Sequence, residues 1–473
     1  MLLSRARAPL GADEGYLWYG VQQLLKGRMP HRDFKSYEPG RYLWSGLFAR
    51  LFGNSMLVLR GSTHLFFAAG LATALMALRT LDTGWPVVAC AAAALAALSH
   101  PQHKQFEHGA ILLAWAANAS LWASPSGVTL AWAAATVTLS LFLGFNLFLY
   151  FGAALAATLC AGIVLGAIPL DRQLIVVLLG SGALGLLPFG LMLCSPGFAR
   201  SFHRRRVATV AARGESNLSL PLPWPWRSAP RQLGTLDRPH RIAFQWVFLG
   251  LFALPLAAIV LAFASPDTHA ILLPAAALGM FVAHHAASRA DPPHITQSLA
   301  PCGLLAIQLC GSSPVLALAV AASCLWLVWP LQPWVLRRQM HAPLLRRDAG
   351  GWAIDTSQPD ARILETAAEL CADAGSASLF AAPAFPALYA RLRFDAPVYD
   401  TFSLYPAGER AQQDMIEGIE RARTPVAIVS DAPVDGREEL RFSQTHPLVW
   451  AHLHACFAAG RQEPGTDLHV FTR

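Results

Sequence analysis

Apolar positions along this chain follow two patterns before the sequence changes character. Between residues 13 and 54 they recur at helical spacing, at Tyr16, Tyr19 and Leu24 and again at Tyr42, Leu43, Leu47 and Leu51, with charges in between. Gly27 and Pro30 interrupt the run, so the pattern predicts two short amphipathic helices lying in a membrane interface. From residue 55 to about 338 apolar runs dominate. A helix needs about 20 residues to cross about 30 Å of hydrocarbon. Ten stretches approach that length: 55–80, 85–99, 107–123, 126–143, 146–169, 173–194, 243–264, 268–288, 294–311 and 314–335. Alanine is dense within them, as at Ala91–Ala94, which suits helices that approach closely.

Two segments fall outside this run of spans. Residues 195–242 read as an interfacial loop, with Arg204, Arg205 and Arg206 followed by Trp224 and Trp226 set among prolines. From 339 onward, strand-like runs (378–380, 426–429 and 468–471) alternate with helical patterns over 360–373 and 408–422. The expected fold class is therefore an α-helical polytopic membrane protein of about ten spans, with interfacial helices and a small C-terminal α/β domain in water. The expected division is 1–54, an interfacial loop with two amphipathic helices; 55–338, the transmembrane bundle carrying the 195–242 loop; and 339–473, the α/β domain.

Composition supports the class. The chain is 54% hydrophobic and 14% charged, with a mean hydropathy of +0.40, whereas a soluble chain carries about 25% charged residues. A net charge of +7 calls for an anionic partner. No basic helix or stacking platform points to nucleic acid, so the phosphate or head-group of a lipid is the expected anion. Eight cysteines occur without CxxC spacing, most of them in apolar runs, and Cys371 and Cys456 are the one pair read as able to bridge. No cleavable signal peptide is recognised in the first residues.

An even number of spans places residues 13–44 and the C-terminal domain on one side. The polar elements 100–108, 200–241 and 284–294 fall on that side too, while the opposite loops are short and nearly free of ionisable groups. Lysine and arginine also gather on this face, so charge counting alone does not fix its compartment.

Three clusters there carry candidate chemistry. Asp13 and Glu14, backed by Tyr16, Trp18 and Tyr19, suit a general base at a water–lipid boundary, or equally the capped first turn of a helix. The run His100-Pro101-Gln102-His103-Lys104-Gln105-Phe106-Glu107-His108 packs ionisable groups at a span entrance. It admits a phosphate-gripping Lys104 with a hydrogen-bonding His103 beside it and Glu107 a turn further on, a His/Glu site for a divalent metal, or a solvated turn. The run 284–294 offers Arg289 for bidentate phosphate binding and Asp291 to orient it or His294, against a plain Arg289–Asp291 loop pair. Arg60 and His64, inside the first span, receive no role.

Asp13-Glu14-Gly15-Tyr16, followed by Gly27-Arg28-Met29-Pro30-His31-Arg32-Asp33-Phe34, resembles the polytopic glycosyltransferases of the GT-C superfamily. The likeness is strongest to the bacterial dolichyl-phosphate-mannose–protein mannosyltransferase-like group, which includes the lipid A aminoarabinose transferases. The order of elements matches along the whole chain; the residue match is confined to about 13–44. The resemblance implies a sugar moved from a polyprenyl-phosphate donor to an acceptor hydroxyl on a lipid, glycan or protein. It also implies an inner-membrane enzyme whose polar face is extracytoplasmic, with Asp13 as base and Glu14 beside it. Lys104 and Arg289 as clamps on the donor phosphate follow from chemistry rather than from a matched motif. Arg41, in Tyr37-Glu38-Pro39-Gly40-Arg41, stands near where relatives carry Lys-Pro-Pro. The group's first span would precede the acidic pair, so the expectation is a chain that starts after that span.

No resident cofactor is required, and a divalent metal stays open. A transporter or flippase for a lipid-linked or anionic solute is the rival reading; it predicts inverted repeats and ionisable groups near span centres. A catalytically inactive relative whose C-terminal domain binds a partner is the third.

Overall fold

The computed structural model describes residues 13–208, 218–331, 345–348, 351–354, 358–462 and 467–473. The chain is a multi-pass helical membrane protein. It forms two compact units: Met1–Ser62 with Ala342–Arg473, and Thr63–His341. The composition breaks at 54/55 and 338/339 are therefore not the borders of the compact units.

The first unit opens with α1 (Asp13–Leu25) and α2 (Pro39–Phe52). α1 is enclosed. Gly15 lies so near the C-terminal helix Pro386–Leu392 that an added Cβ would sit 2.5 Å from the Ala387 Cβ. α2 keeps Leu43, Leu47 and Leu51 exposed at i, i+4 and i+8, an apolar stripe suited to a lipid interface.

A four-stranded sheet, ordered β3-β4-β6-β5, forms the centre of the C-terminal segment; the hairpin β1 (Leu345–Asp348) and β2 (Gly351–Ile354) precedes it. β3 (Leu379–Ala382) runs parallel to β4 (Val426–Ser430), and β6 (Leu468–Thr472) is antiparallel to both β4 and β5 (Ala458–Gln462). Strand residues alternate between faces. Leu379, Ala381 and Ile428 pack in one core with Tyr19, Phe34 and Tyr42 from the start of the chain. Phe380, Ala427 and Val429 face the opposite way, against Met415, Val449 and Leu453. Polar contacts reinforce the first of these cores. Asp395 accepts from Gln23, Lys26 and Arg28, and Lys35 pairs with Asp400 at 2.6 Å. Burial opposes the Asp395 charge, but those donors outweigh it and hold the carboxyl below its ordinary value.

The second unit holds the apolar helices. Among the described residues, six are long and apolar enough to cross a membrane: Met56–Thr80, which begins in the first unit, Phe145–Val164, Arg172–Leu193, Arg238–Ala264, Pro266–Ser288 and Pro314–Leu331. Trp85–Leu98, Gly127–Leu143 and Ala300–Leu309 are shorter apolar helices, and Gln105–Ala123 is almost wholly buried. The stretch expected as one span over 294–311 is instead two helices, Pro292–Gln297 and Ala300–Leu309. Pro301, lacking an N–H, fits the first turn of the second helix and not the interior of a continuous one. Of the 195–242 loop, residues 209–217 lie outside the described residues. Cys371 and Cys456, the pair read as able to bridge, are both free thiols, one buried and one exposed.

Candidate active site

Asp13 and Glu14 both stand in the first turn of α1, where the helix N-terminus favours negative charge. Their surroundings differ sharply. Glu14 is buried and held by Arg60: Nε donates to Oε1 at 2.9 Å and Nη2 to Oε2 at 2.7 Å. Both side chains are less than a tenth exposed, and this bidentate geometry is the condition under which a buried pair compensates its desolvation. Asp13 is half-buried, and its Oδ1 accepts a 2.9 Å hydrogen bond from the Tyr37 hydroxyl.

Tyr37 is fixed in turn. Its ring meets Tyr16 edge-to-face at 5.0 Å, the Arg41 guanidinium lies 4.7 Å from its centroid, and its backbone N–H donates to the Tyr42 hydroxyl. Burial and the neighbouring Asp13 charge push the Tyr37 phenol well above its ordinary value, so it stays a hydrogen-bond donor. Arg41 is thus buried against Tyr37. The Tyr16 ring also meets Phe402 of the C-terminal segment, 5.4 Å between centroids. One unit therefore offers a charged, locked Glu14 and a more accessible carboxylate oriented by a phenol.

The second unit gathers the other predicted residues. His103 and Lys104 occupy a tight turn, Gln102–Lys104, and the α-helix starts only at Gln105. The run from His100 to Lys104 is therefore not part of the α-helix, and Pro101 stands at the head of the turn. Lys104 Nζ instead faces Glu107 Oε1 at 3.9 Å. Asp291 caps the short helix Pro292–Gln297, accepting from the His294 backbone N–H at 3.0 Å, and its Oδ1 lies 2.6 Å from His294 Nδ1. Arg289 Nε donates to Asp291 Oδ2 at 2.8 Å, and Arg289 Nη1 donates to the Leu218 carbonyl. Burial works against the Asp291 charge, but His294 and Arg289 more than offset it and keep the carboxyl below its ordinary value. So the loop pair read from sequence is present, and it carries His294 with it.

The two stretches meet, since the Thr296 hydroxyl donates to the His100 carbonyl at 2.9 Å. His285 faces His294 with 5.1 Å between ring centroids and lies within electrostatic reach of Lys104 and Glu107. Its Nε2 is buried without a hydrogen-bond partner among the described residues. No group of three or more His, Cys, Asp or Glu side chains among the described residues is placed to share a metal ion.

Sequence reasoning left three residues without a role. Arg60 looked like an isolated charge in a span, Tyr37 one aromatic among many, and His285 a neighbour of the chosen residues. None carries a local signal, because each gains its part through contacts remote in sequence.

The fold has counterparts among solved structures. In particular, it is similar to ArnT from Cupriavidus metallidurans. The apo structure of that protein aligns at a TM-score of 0.56 and 15% identity, covering 99% of this chain and 94% of that one. The structure bound to undecaprenyl phosphate aligns at 0.52 and 16% identity, over the same shares of the two chains. No protein-family model matches the chain, and no curated protein matches it in sequence.

Proposed function

We propose that this chain is a membrane glycosyltransferase that moves a sugar from a polyprenyl-phosphate donor to an acceptor hydroxyl on the extracytoplasmic face of the inner membrane. The observation that carries the reading is the unequal treatment of two adjacent carboxylates. Arg60 takes both oxygens of Glu14, which suits a fixed charge, while Asp13 is half-buried and its Oδ1 accepts from the Tyr37 hydroxyl. In this reading Asp13 removes the proton from the acceptor hydroxyl. The acceptor oxygen then bonds to the anomeric carbon as the bond from that carbon to the phosphate oxygen breaks, which inverts the configuration. The proton stays on Asp13, and the polyprenyl phosphate leaves with the bonding electrons.

A phosphate leaving group needs cations, not an acid. Lys104 and Arg289 suit that role, since both are charged and set in the polar cluster of the second unit. His103, Glu107, Asp291 and His294 would orient them. The likeness to ArnT, solved with undecaprenyl phosphate bound, favours that lipid as the carrier to try first. A general base contributes roughly a hundred- to ten-thousand-fold. Asp13→Asn should therefore lower transfer from undecaprenyl-phosphate-linked sugars by about that factor, with the protein at its normal level and unfolding temperature. Unchanged transfer would remove Asp13 from the mechanism.

A further inference from the structure

The loop that leads into the helix Arg238–Ala264 is built more firmly than a solvated linker requires. Trp224 and Trp226 stack at 5.2 Å with only 7° between their planes, and Trp224 packs edge-on against Phe248 of that helix at 5.0 Å. Gln245, itself buried, donates from one amide nitrogen to the Trp224 carbonyl at 3.0 Å and to the Arg227 carbonyl at 2.9 Å. Gln232 ties the same loop to the Pro221 and Ala290 carbonyls. On this frame Trp226 is 68% exposed and Trp246 is 60% exposed. Arg227, Arg231 and Arg238 are exposed as well.

The charge is one-sided. Between residues 218 and 250 there are four arginines and one acidic residue, Asp237. The Asp237 carboxylate is occupied in capping the helix: it accepts from the His240 backbone N–H at 2.9 Å and lies 2.6 Å from His240 Nδ1. Exposed indole rings and exposed guanidinium groups within residues 226–246, at the mouth of a helix apolar enough to span a membrane, match the layer where acyl chains give way to phosphates.

We propose that the surface formed by Trp226, Arg227, Arg231, Arg238 and Trp246 binds the head-group of an anionic phospholipid of the surrounding bilayer. The indoles seat against the glycerol and upper acyl region, and the guanidinium groups take the phosphodiester and its net negative charge. The site is independent of the reading of Asp13, and it would hold in an inactive chain.

The test uses the full chain, purified and offered equal amounts of palmitoyl-oleoyl phosphatidylglycerol and phosphatidylcholine, with retained lipid counted by native mass spectrometry. The wild type should retain phosphatidylglycerol in preference. A cation near an anionic surface is worth roughly fivefold, so Arg227→Gln with Arg231→Gln and Arg238→Gln should cut the preference at least about tenfold. The same three sites changed to lysine should keep most of it. Arg172→Gln, an exposed charge elsewhere in the unit, should leave it intact. No preference in the wild type, or a preference that survives the triple glutamine variant, would overturn the site. Equal loss on Arg172→Gln would do the same, by assigning the selectivity to net charge alone.

Discussion

Arg60, on the helix Met56–Thr80, grips Glu14, 46 residues earlier in the chain, through two hydrogen bonds of 2.9 and 2.7 Å, and both side chains are buried. Breaking a buried pair of this geometry by removing one partner costs about 3–5 kcal/mol. Arg60→Met should lower the unfolding temperature markedly and, on the proposed function, reduce sugar transfer with it. Replacing both partners by apolar residues of similar size, Glu14→Met with Arg60→Met, should recover most of the stability. Thermal unfolding of the wild type, Arg60→Met, Glu14→Met and the double variant in one detergent measures the coupling directly. Equal unfolding temperatures for the wild type and the single variant would mean that the pair does not anchor the start of α1.

Tyr37 offers a separate handle on Asp13. Its hydroxyl donates to one carboxylate oxygen, and its ring is fixed by Tyr16 and Arg41. Tyr37→Phe keeps the ring contacts and removes only the hydrogen bond, so folding should be little changed. Turnover should fall by roughly tenfold, in line with the loss of a charge-assisted hydrogen bond of about 1.5 kcal/mol or more. The effect should appear in kcat more than in donor KM, because the bond orients a base and does not contact the donor phosphate in this reading. A larger effect on donor KM than on kcat would argue against that division.

The sequence made legible what depends on local pattern. Apolar runs of the right length located the apolar helices of the bundle, and β-rich runs at 378–380, 426–429 and 468–471 marked three strands of the sheet. What it could not show were contacts whose partners are far apart in sequence. Asp395 gathers Lys26 and Arg28 across 367 residues or more, and Tyr19 shares a core with Leu379. No periodicity encodes such contacts. The turn at Gln102–Lys104 and the break before Ala300 belong to a middle class. Pro101 and Pro301 announce both, yet a count of apolar length alone passes over them.

His446 should make the first unit acid-sensitive. It is buried, stacks on Phe442 at 4.6 Å between ring centroids and shares a 3.0 Å hydrogen bond with the Thr445 hydroxyl. Burial lowers its pKa to about 4; Asp400 pulls the other way, and Lys35 adds to the lowering. The unfolded chain takes up the proton near pH 6.5, the ordinary histidine value, and the folded chain only near 4. Stability from this group is therefore complete above about 6.5, falls as pH drops through that window, and stops falling below about 4. The total is up to about 3 kcal/mol at 1.36 kcal/mol per unit. Unfolding temperatures measured from pH 7 to pH 4.5 should fall for the wild type and fall less for His446→Gln. Parallel curves would mean that the acid sensitivity lies elsewhere.

Arg289 and Lys104 should behave differently when each is exchanged for the other cation. Arg289 spends Nε on Asp291 and Nη1 on the Leu218 carbonyl, so its planar group is held in a set direction. A lysine in its place keeps the charge but cannot reproduce that fork, so Arg289→Lys should weaken retention of undecaprenyl phosphate nearly as much as Arg289→Met, by roughly tenfold or more. Lys104 acts as a point charge 3.9 Å from Glu107, and Lys104→Arg should keep most binding that Lys104→Met loses. Retention of the lipid, measured by native mass spectrometry on the intact chain, separates these outcomes from any effect on turnover. If Arg289→Lys binds the lipid as the wild type does, the fixed guanidinium is only a strut for the loop at 289–294. In that case the phosphate grip would have to be sought in Lys104 and the buried His285 opposite His294.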